Sequence, residues 1–240
     1  VLVVVVALLA ACGPDSDTEP VTVLAASSLT DVFAELEAAY EAANPDVDLV
    51  VSTGGSPSLA AQAAAGAPAA VLITADRSSM RQAVDAGVVE SDPRPIATNT
   101  VTVAAPAEPP GPFVADITDL VDDEVLVALC APEVPCGAAA ADLLRAGGVE
   151  VDADTLELSV RGVVTRLELG EVDAGVVYRT DVRGSGGGLR AVPDGVDDTI
   201  GAVRYLTAPL DGQEGGADVV DFLLSGRAQR ILADHGFGPP

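Results

Sequence analysis

The sequence predicts an α/β protein of two lobes, each a mainly parallel sheet flanked by helices, with two chain segments crossing between the lobes as a hinge. Three observations predict it. Strand-like apolar runs alternate with helical runs through the first hundred residues, the rhythm of βαβ units. The alternation starts again after residue 100. The helical tail fits best as a return to the first lobe, which makes two crossings, near 99–103 and 204–208. Lobe 1 is then 21–101 with 207–240, and lobe 2 is 102–206.

The elements follow in order. VTVLAA (21–26) is a short apolar strand. From Thr30 to Ala43, Val32, Phe33, Leu36, Ala39 and Tyr40 share one helical face. VDLVV (47–51) is a strand, Ser58 to Ala65 a helix stopped by Gly66, AAVLIT (69–74) a strand, and Ser78 to Ala86 a helix stopped by Gly87. In the second half, TVTVAA (100–105), VLVAL (125–129), AGVVY (174–178) and VRYLTA (203–208) are strands. Helices are expected over Cys136 to Ala146, ending at Gly147-Gly148, and over Val160 to Leu169, ending at Gly170. The tail, Ala217 to His235, holds a helix with Val220, Leu223, Leu224, Ala228 and Ile231 inward. GSGGG (184–188) is a flexible turn rather than a phosphate loop, since no lysine follows it.

The first twelve residues, VLVVVVALLAAC, are too short an apolar run to span a bilayer and have the character of an export signal. They end in Leu9-Ala10-Ala11-Cys12, similar to a bacterial lipobox, which makes Cys12 the expected lipidation site and places the protein outside the cytoplasm, anchored to the outer face of the membrane. The charged stretch that opens such a signal is expected upstream of Val1. Residues 13–20 are a polar, turn-rich tether. The remaining cysteines, Cys130 and Cys136, are close enough for a disulfide in an oxidising compartment; two small buried thiols are the alternative.

The charge is -25, with twelve arginines and no lysine. That excludes nucleic acid as a partner and excludes docking on anionic lipid headgroups, both of which need clustered cations. A small anion in a shielded pocket stays open, provided local donors hold it against the field of the whole chain.

Two segments place a hydroxyl where a strand runs into a helix. Ser28 and Asp31 have capping-box spacing directly after the first strand, and Ser56 precedes a proline suited to the first helical position. Helix N-termini present unpaired N–H groups and partial positive charge, and ligands gather at the carboxyl edge of such sheets. Taken singly, each serine is equally well a plain cap.

The stretch from AASSLTDVF to GAPAAVLITAD resembles the N-terminal half of bacterial molybdate-binding proteins, with their A-A-x-S-L-T element and a second, serine-containing element. The likeness continues through APEVPCGAAAADLL, SVRGVVTRLELGEVDAGVVYRTDV and AQRILADHGFGP, nearly the whole chain after the tether. Departures are Ala70, where the family has an acidic residue, Cys136 in the P-x-G element, and a glycine-rich GGSPS in the second element. The resemblance implies the two-lobed fold of periplasmic binding proteins, whose lobes close about a hinge. It implies molybdate or tungstate as ligand, no cofactor, no catalysis, and an ABC permease and ATPase as partners of a monomer. It implies a site of hydroxyls and backbone N–H groups: Ser28, Ser56 and Tyr178 by side chain, Cys136 and Val160 by backbone, with Ser27 and Gly55 as additional donors. Either serine of GGSPS can be the one that reaches the ligand. No metal is expected beyond that of the oxyanion itself.

Fully ionised molybdate, tungstate and sulfate only accept hydrogen bonds, which suits a donor-only site; protonated phosphate also needs an acceptor. Sulfate binding is the nearest alternative. A hydrolase with Ser28 or Cys136 as nucleophile would need a base, and the sole histidine, His235, is expected to face the last carbonyls of a helix. There is no G-x-S-x-G element. Arg161 is expected to pair with a carboxylate, Asp31 to cap a helix, and the runs Asp122-Asp123-Glu124 and Asp197-Asp198 to be solvated.

Overall fold

The computed structural model describes residues 19–240. The export segment 1–12, the lipidation site Cys12 and most of the tether lie outside the described residues. Strand β1 (Glu19–Ala26) begins within the segment expected as tether, pairing Glu19 with Val47 and Pro20 with Asp48.

The first half runs β1, a 3-10 turn at Ser27–Leu29, α1 (Thr30–Glu41), β2 (Val47–Gly54), α2 (Ser56–Ala64), β3 (Val71–Thr74) and α3 (Arg77–Asp85). All five residues of the predicted α1 face are buried. The helix α3 stops where Gly87 takes φ +70, a conformation that side chains with a Cβ resist. Strand β4 (Arg94–Pro106) then crosses the molecule. The second half contains β5 (Val127–Cys130), α4 (Pro135–Ala146), β6 (Thr155–Glu157), α5 (Val160–Glu168), β7 (Ala174–Tyr178), α6 (Arg179–Gly184) and β8 (Leu189–Val192). Strand β9 (Ala202–Pro209) returns, followed by α7 (Gly216–Leu223) and α8 (Gly226–Asp234).

The strands form one curled sheet in the order β2-β1-β3-β9-β4-β7-β5-β6, with β8 beside the far end of β4. It is mixed rather than mainly parallel. Parallel pairing holds for β1 with β2 and β3, and for β5 with β6 and β7. The strands that cross between the halves run against their neighbours, so β9 is antiparallel to β3 and β4, and β4 to β7 and β8. Within β4, residues up to Thr100 pair with β9, and pairing with β7 begins at Val101.

The buried apolar side chains divide accordingly. One cluster draws on residues 101–192. Two others cover the opposite faces of the first sheet half: one under α1, α7 and α8, the other under α2 and α3. Val203 of β9 packs against the second-half cluster and against the one under α1. The tail is two helices rather than one. Ser225 interrupts it, its hydroxyl accepting from the Ala228 N–H at 3.3 Å as the cap of α8.

Candidate functional site: a donor-lined cavity between two sheet edges

Three parallel strands of the first half end together. Ala26 of β1 lies in register with Gly54 of β2, so the turn carrying Ser27 and Ser28 and the start of α2 at Gly55-Ser56 emerge side by side, with Ala75 following β3. The parallel strands of the second half end facing them. The segment after β5 leads to Val134, Pro135 and Cys136 at the start of α4; that after β6 leads to Ser159 and Val160 at the start of α5; β7 ends on Tyr178. These two edges face each other across a narrow cleft lined by Ser27, Ser28, Gly55, Ser56, Cys136, Val160 and Tyr178 together with Ala26, Gly54, Ala75, Val134, Pro135 and Ser159. The structure therefore brings all seven candidate ligand residues around one space.

The chemistry of the lining is one-sided. Among the described residues, none that lines the cavity is an Asp, Glu, Arg or His. The N-termini of α2 and α4 open onto it with no side-chain cap. The first N–H groups of a helix have no acceptor within it, so a buried, uncapped start is an unfilled set of donors. Tyr178 is 1% exposed, and among the described residues its hydroxyl has no hydrogen-bond partner. Burial pushes the Tyr178 hydroxyl well above the usual phenol range, with Tyr205 and Asp181 adding to the rise, so it stays protonated and able to donate. A buried polar group without a partner is destabilising by about 1–3 kcal/mol, and one aimed into a cavity points to a ligand.

The serines differ in detail from helix caps. Ser28 does not cap α1, whose start has no side-chain cap; its hydroxyl lies 2.6 Å from the Tyr205 hydroxyl. Ser56 is the first residue of α2, with Gly55 as N-cap, and its oxygen accepts from the Ala75 N–H at 3.0 Å. Asp31 is not a cap either. Its charge is met by Arg161 at 3.1 Å, an ion pair that joins α1 to α5. Gly55 has ordinary extended φ and ψ, but a Cβ there would lie 2.3 Å from the Leu158 carbonyl oxygen on the opposite side. Cys130 and Cys136 are joined as a disulfide, which ties the start of α4 to the end of β5. His235 is the C-cap of α8: its backbone N–H donates to the Ile231 carbonyl at 3.1 Å, while its ring lies 3.1 Å from the Glu35 carboxylate of α1.

The sequence did not point to Ser159, whose hydroxyl accepts from Gly162 N–H at 3.4 Å as the α5 cap while lining the cavity. Its signal was present as a serine before a helix start. Nor did it single out Asp181, which is 2% exposed and pushed up to about 7 by burial, against the lowering effect of the Tyr178 N–H bond and of Arg161.

Comparison with known proteins places this geometry. The sequence profile of the bacterial extracellular solute-binding proteins matches residues 21–238. The chain belongs to that family. The molybdate-binding protein ModA of Mycobacterium tuberculosis is 31% identical over 95% of this chain and 88% of its own. The motif resemblance to bacterial molybdate-binding proteins thus extends over nearly the full length. Among solved structures, the periplasmic molybdate-binding protein of Azotobacter vinelandii superposes with a TM-score of 0.76 at 18% identity, over 92% of this chain and 99% of that one. The sulfate-binding protein SubI of Mycobacterium tuberculosis also superposes at 0.76, with 19% identity, over 92% of this chain and 86% of that one. Those two likenesses establish the shared fold. The relatives are solute-binding proteins, and no described helix is long and apolar enough to cross a membrane.

Proposed function

We propose that the protein captures molybdate, with tungstate as its analogue, in the cavity between its two sheet edges and delivers it to an ABC permease and ATPase. The observation that carries this is the buried Tyr178 hydroxyl, unpartnered among the described residues, in a cavity lined by neutral donors. Ser28, Ser56 and Tyr178 donate by hydroxyl, Cys136 and Val160 by backbone N–H, and Ser27 and Gly55 supplement them. Residues 21–101 with 207–240 move as one lobe, 102–206 as the other, and the middle of β4 with β9 is the hinge. The protein works as a monomer outside the cytoplasm, held to the membrane by lipid on Cys12, and performs no catalysis.

The 31% identical ModA supports molybdate over other oxyanions. Sulfate is the second reading, favoured by the equal superposition of SubI, and the two differ in the cavity width that longer metal–oxygen bonds require. Calorimetric titration with molybdate, tungstate, sulfate and phosphate separates them. Tight binding of the first two alone is expected; tight sulfate binding would keep the mechanism and replace the substrate. Tyr178→Phe is expected to weaken molybdate binding roughly ten- to hundredfold, the range for losing a donor to a charged acceptor. The same change removes an unpaired buried hydroxyl, so the ligand-free protein melts at the same temperature or higher. Unchanged affinity in that variant would refute the site.

A further inference from the structure

Behind the cavity, the crossing strands carry a chain of buried hydrogen bonds whose direction is set from one end. Asn99 of β4 is 5% exposed, and its Oδ1 accepts from the Thr100 N–H at 2.9 Å. That fixes the amide orientation, so Nδ2 faces the other way and donates to Thr180 Oγ1 at 2.7 Å and to the Tyr205 oxygen at 3.4 Å. Both amide protons are then placed. Tyr205 of β9 is fully buried, and with its oxygen accepting from Asn99 its own proton goes to the Ser28 oxygen, 2.6 Å away. A phenol is the stronger acid of the two hydroxyls, which favours the same direction. The Ser28 proton is left over, and of these two residues Ser28 alone lines the cavity.

We propose that Tyr205, oriented by Asn99, is a positioning residue that fixes Ser28 as a donor toward the ligand and thereby sets the discrimination between fully ionised and protonated oxyanions. Ser56 has a comparable arrangement: its oxygen accepts from the Ala75 N–H at 3.0 Å, which leaves its own proton free to donate into the cavity it lines. A doubly charged anion that only accepts is matched by both serines. A hydrogenphosphate ion brings a proton that needs an acceptor, and each serine oxygen already accepts one hydrogen bond while its own proton is directed at the ligand. The inference rests on the oxyanion function proposed above.

The test is a double-mutant cycle of Ser28→Ala and Tyr205→Phe, titrated with sodium molybdate and with sodium phosphate at pH 7.5. Tyr205→Phe keeps the ring that packs edge-on against Phe237 at 5.6 Å, so the protein is expected to fold, with a ligand-free melt lowered by the loss of the hydroxyl's bonds to Ser28 and Asn99. In the natural background it weakens molybdate binding about tenfold and leaves phosphate binding unweakened, narrowing the selectivity by the same factor. In the Ser28→Ala background it has no further effect, because the residue through which it acts is gone. A loss of equal size in both backgrounds, or an equal loss for both anions, would mean a merely structural role and overturn the proposal. So would unchanged binding in Tyr205→Phe. Should that variant fail to fold, Asn99→Ser enters the same cycle, and a loss that persists without the Ser28 hydroxyl overturns the proposal equally. If the natural protein takes up neither anion, the oxyanion function itself fails and the relay with it, an outcome distinct from additive losses in a protein that binds.

Discussion

Adding one methyl group at Gly55 tests whether the cavity closes on its ligand. The backbone there is ordinary, with φ -66 and ψ 133, so alanine is compatible with the local chain. What excludes it is the other side. The new Cβ would stand 2.3 Å from the Leu158 carbonyl oxygen and 3.5 Å from its carbon. An unstrained contact between carbon and oxygen needs roughly 1 Å more, and the obstacle is backbone, which cannot rotate away as a side chain does. Overpacking of this kind is destabilising by about 1–3 kcal/mol, so closure and hence molybdate affinity fall roughly five- to 150-fold. On the proposed hinge motion the halves part when no ligand is held and the contact is lost, so the ligand-free melting temperature of Gly55→Ala is expected to be unchanged. Calorimetry with molybdate and a thermal melt without it give both numbers. An affinity within twofold of the natural protein would refute the view that Gly55 and Leu158 meet on closing. A lowered ligand-free melt would show that the contact persists when the cavity is empty.

Two further outcomes follow from charged groups near the cavity. Asp181 holds its proton in the folded protein up to about 7 against an ordinary value of 3.8, so between those values the folded state binds a proton that the unfolded state has released. Stability from this group is full below pH 4 and lost as pH rises toward 7, by a few kcal/mol at most; Asp181→Asn should stabilise at pH 8 and change little at pH 4 in denaturant titrations. Arg161→Gln breaks the pair from α1 to α5, whose side chains are 32% and 42% exposed; release of ligand should quicken only a few-fold, and the difference should vanish in 1 M salt, in stopped-flow displacement.

What the sequence made legible was local. A serine or glycine at a strand-to-helix junction announces itself within five residues, and both serine elements lie around the cavity on that signal, whereas the P-x-G start of α4 and the start of α5 were pointed to by the family resemblance. The network behind them was not legible, because Ser28 meets Tyr205 177 positions away and Tyr205 meets Asn99 106 positions away. No periodicity connects such pairs. The same distance hid the first half of β4, where Pro93 and Pro95 argue against a strand, yet pairing with β9 makes one, with an irregularity in register between Pro95 and Ala97. The break at Ser225 is different. Ser225-Gly226 is a legible stop and start, and the inward series Val220, Leu223, Ala228, Ile231 obscured it because two helices packed on one face continue the same period.

A chain of charge -25 that takes up a doubly charged anion must separate two electrostatic scales, and salt distinguishes them. At about 10 mM ionic strength the Debye length is about 30 Å, so an approaching anion feels the summed repulsion of the surface carboxylates. Near 150 mM it is about 8 Å, and only close groups act. Hydroxyls and helix N–H groups work at contact and are not screened in a closed cavity. Molybdate association is therefore expected to quicken several-fold on going from 10 to 150 mM sodium chloride, the reverse of a site built on arginines, while dissociation changes little. The chain has no tryptophan and three tyrosines, of which Tyr178 lines the cavity and Tyr205 bonds to Ser28, so tyrosine emission in a stopped-flow instrument reports the site directly. Association that slowed with added salt would mean that a net positive potential draws the anion in. Arg161 would then be the group to remove, and the neutral-donor account of the cavity would not stand.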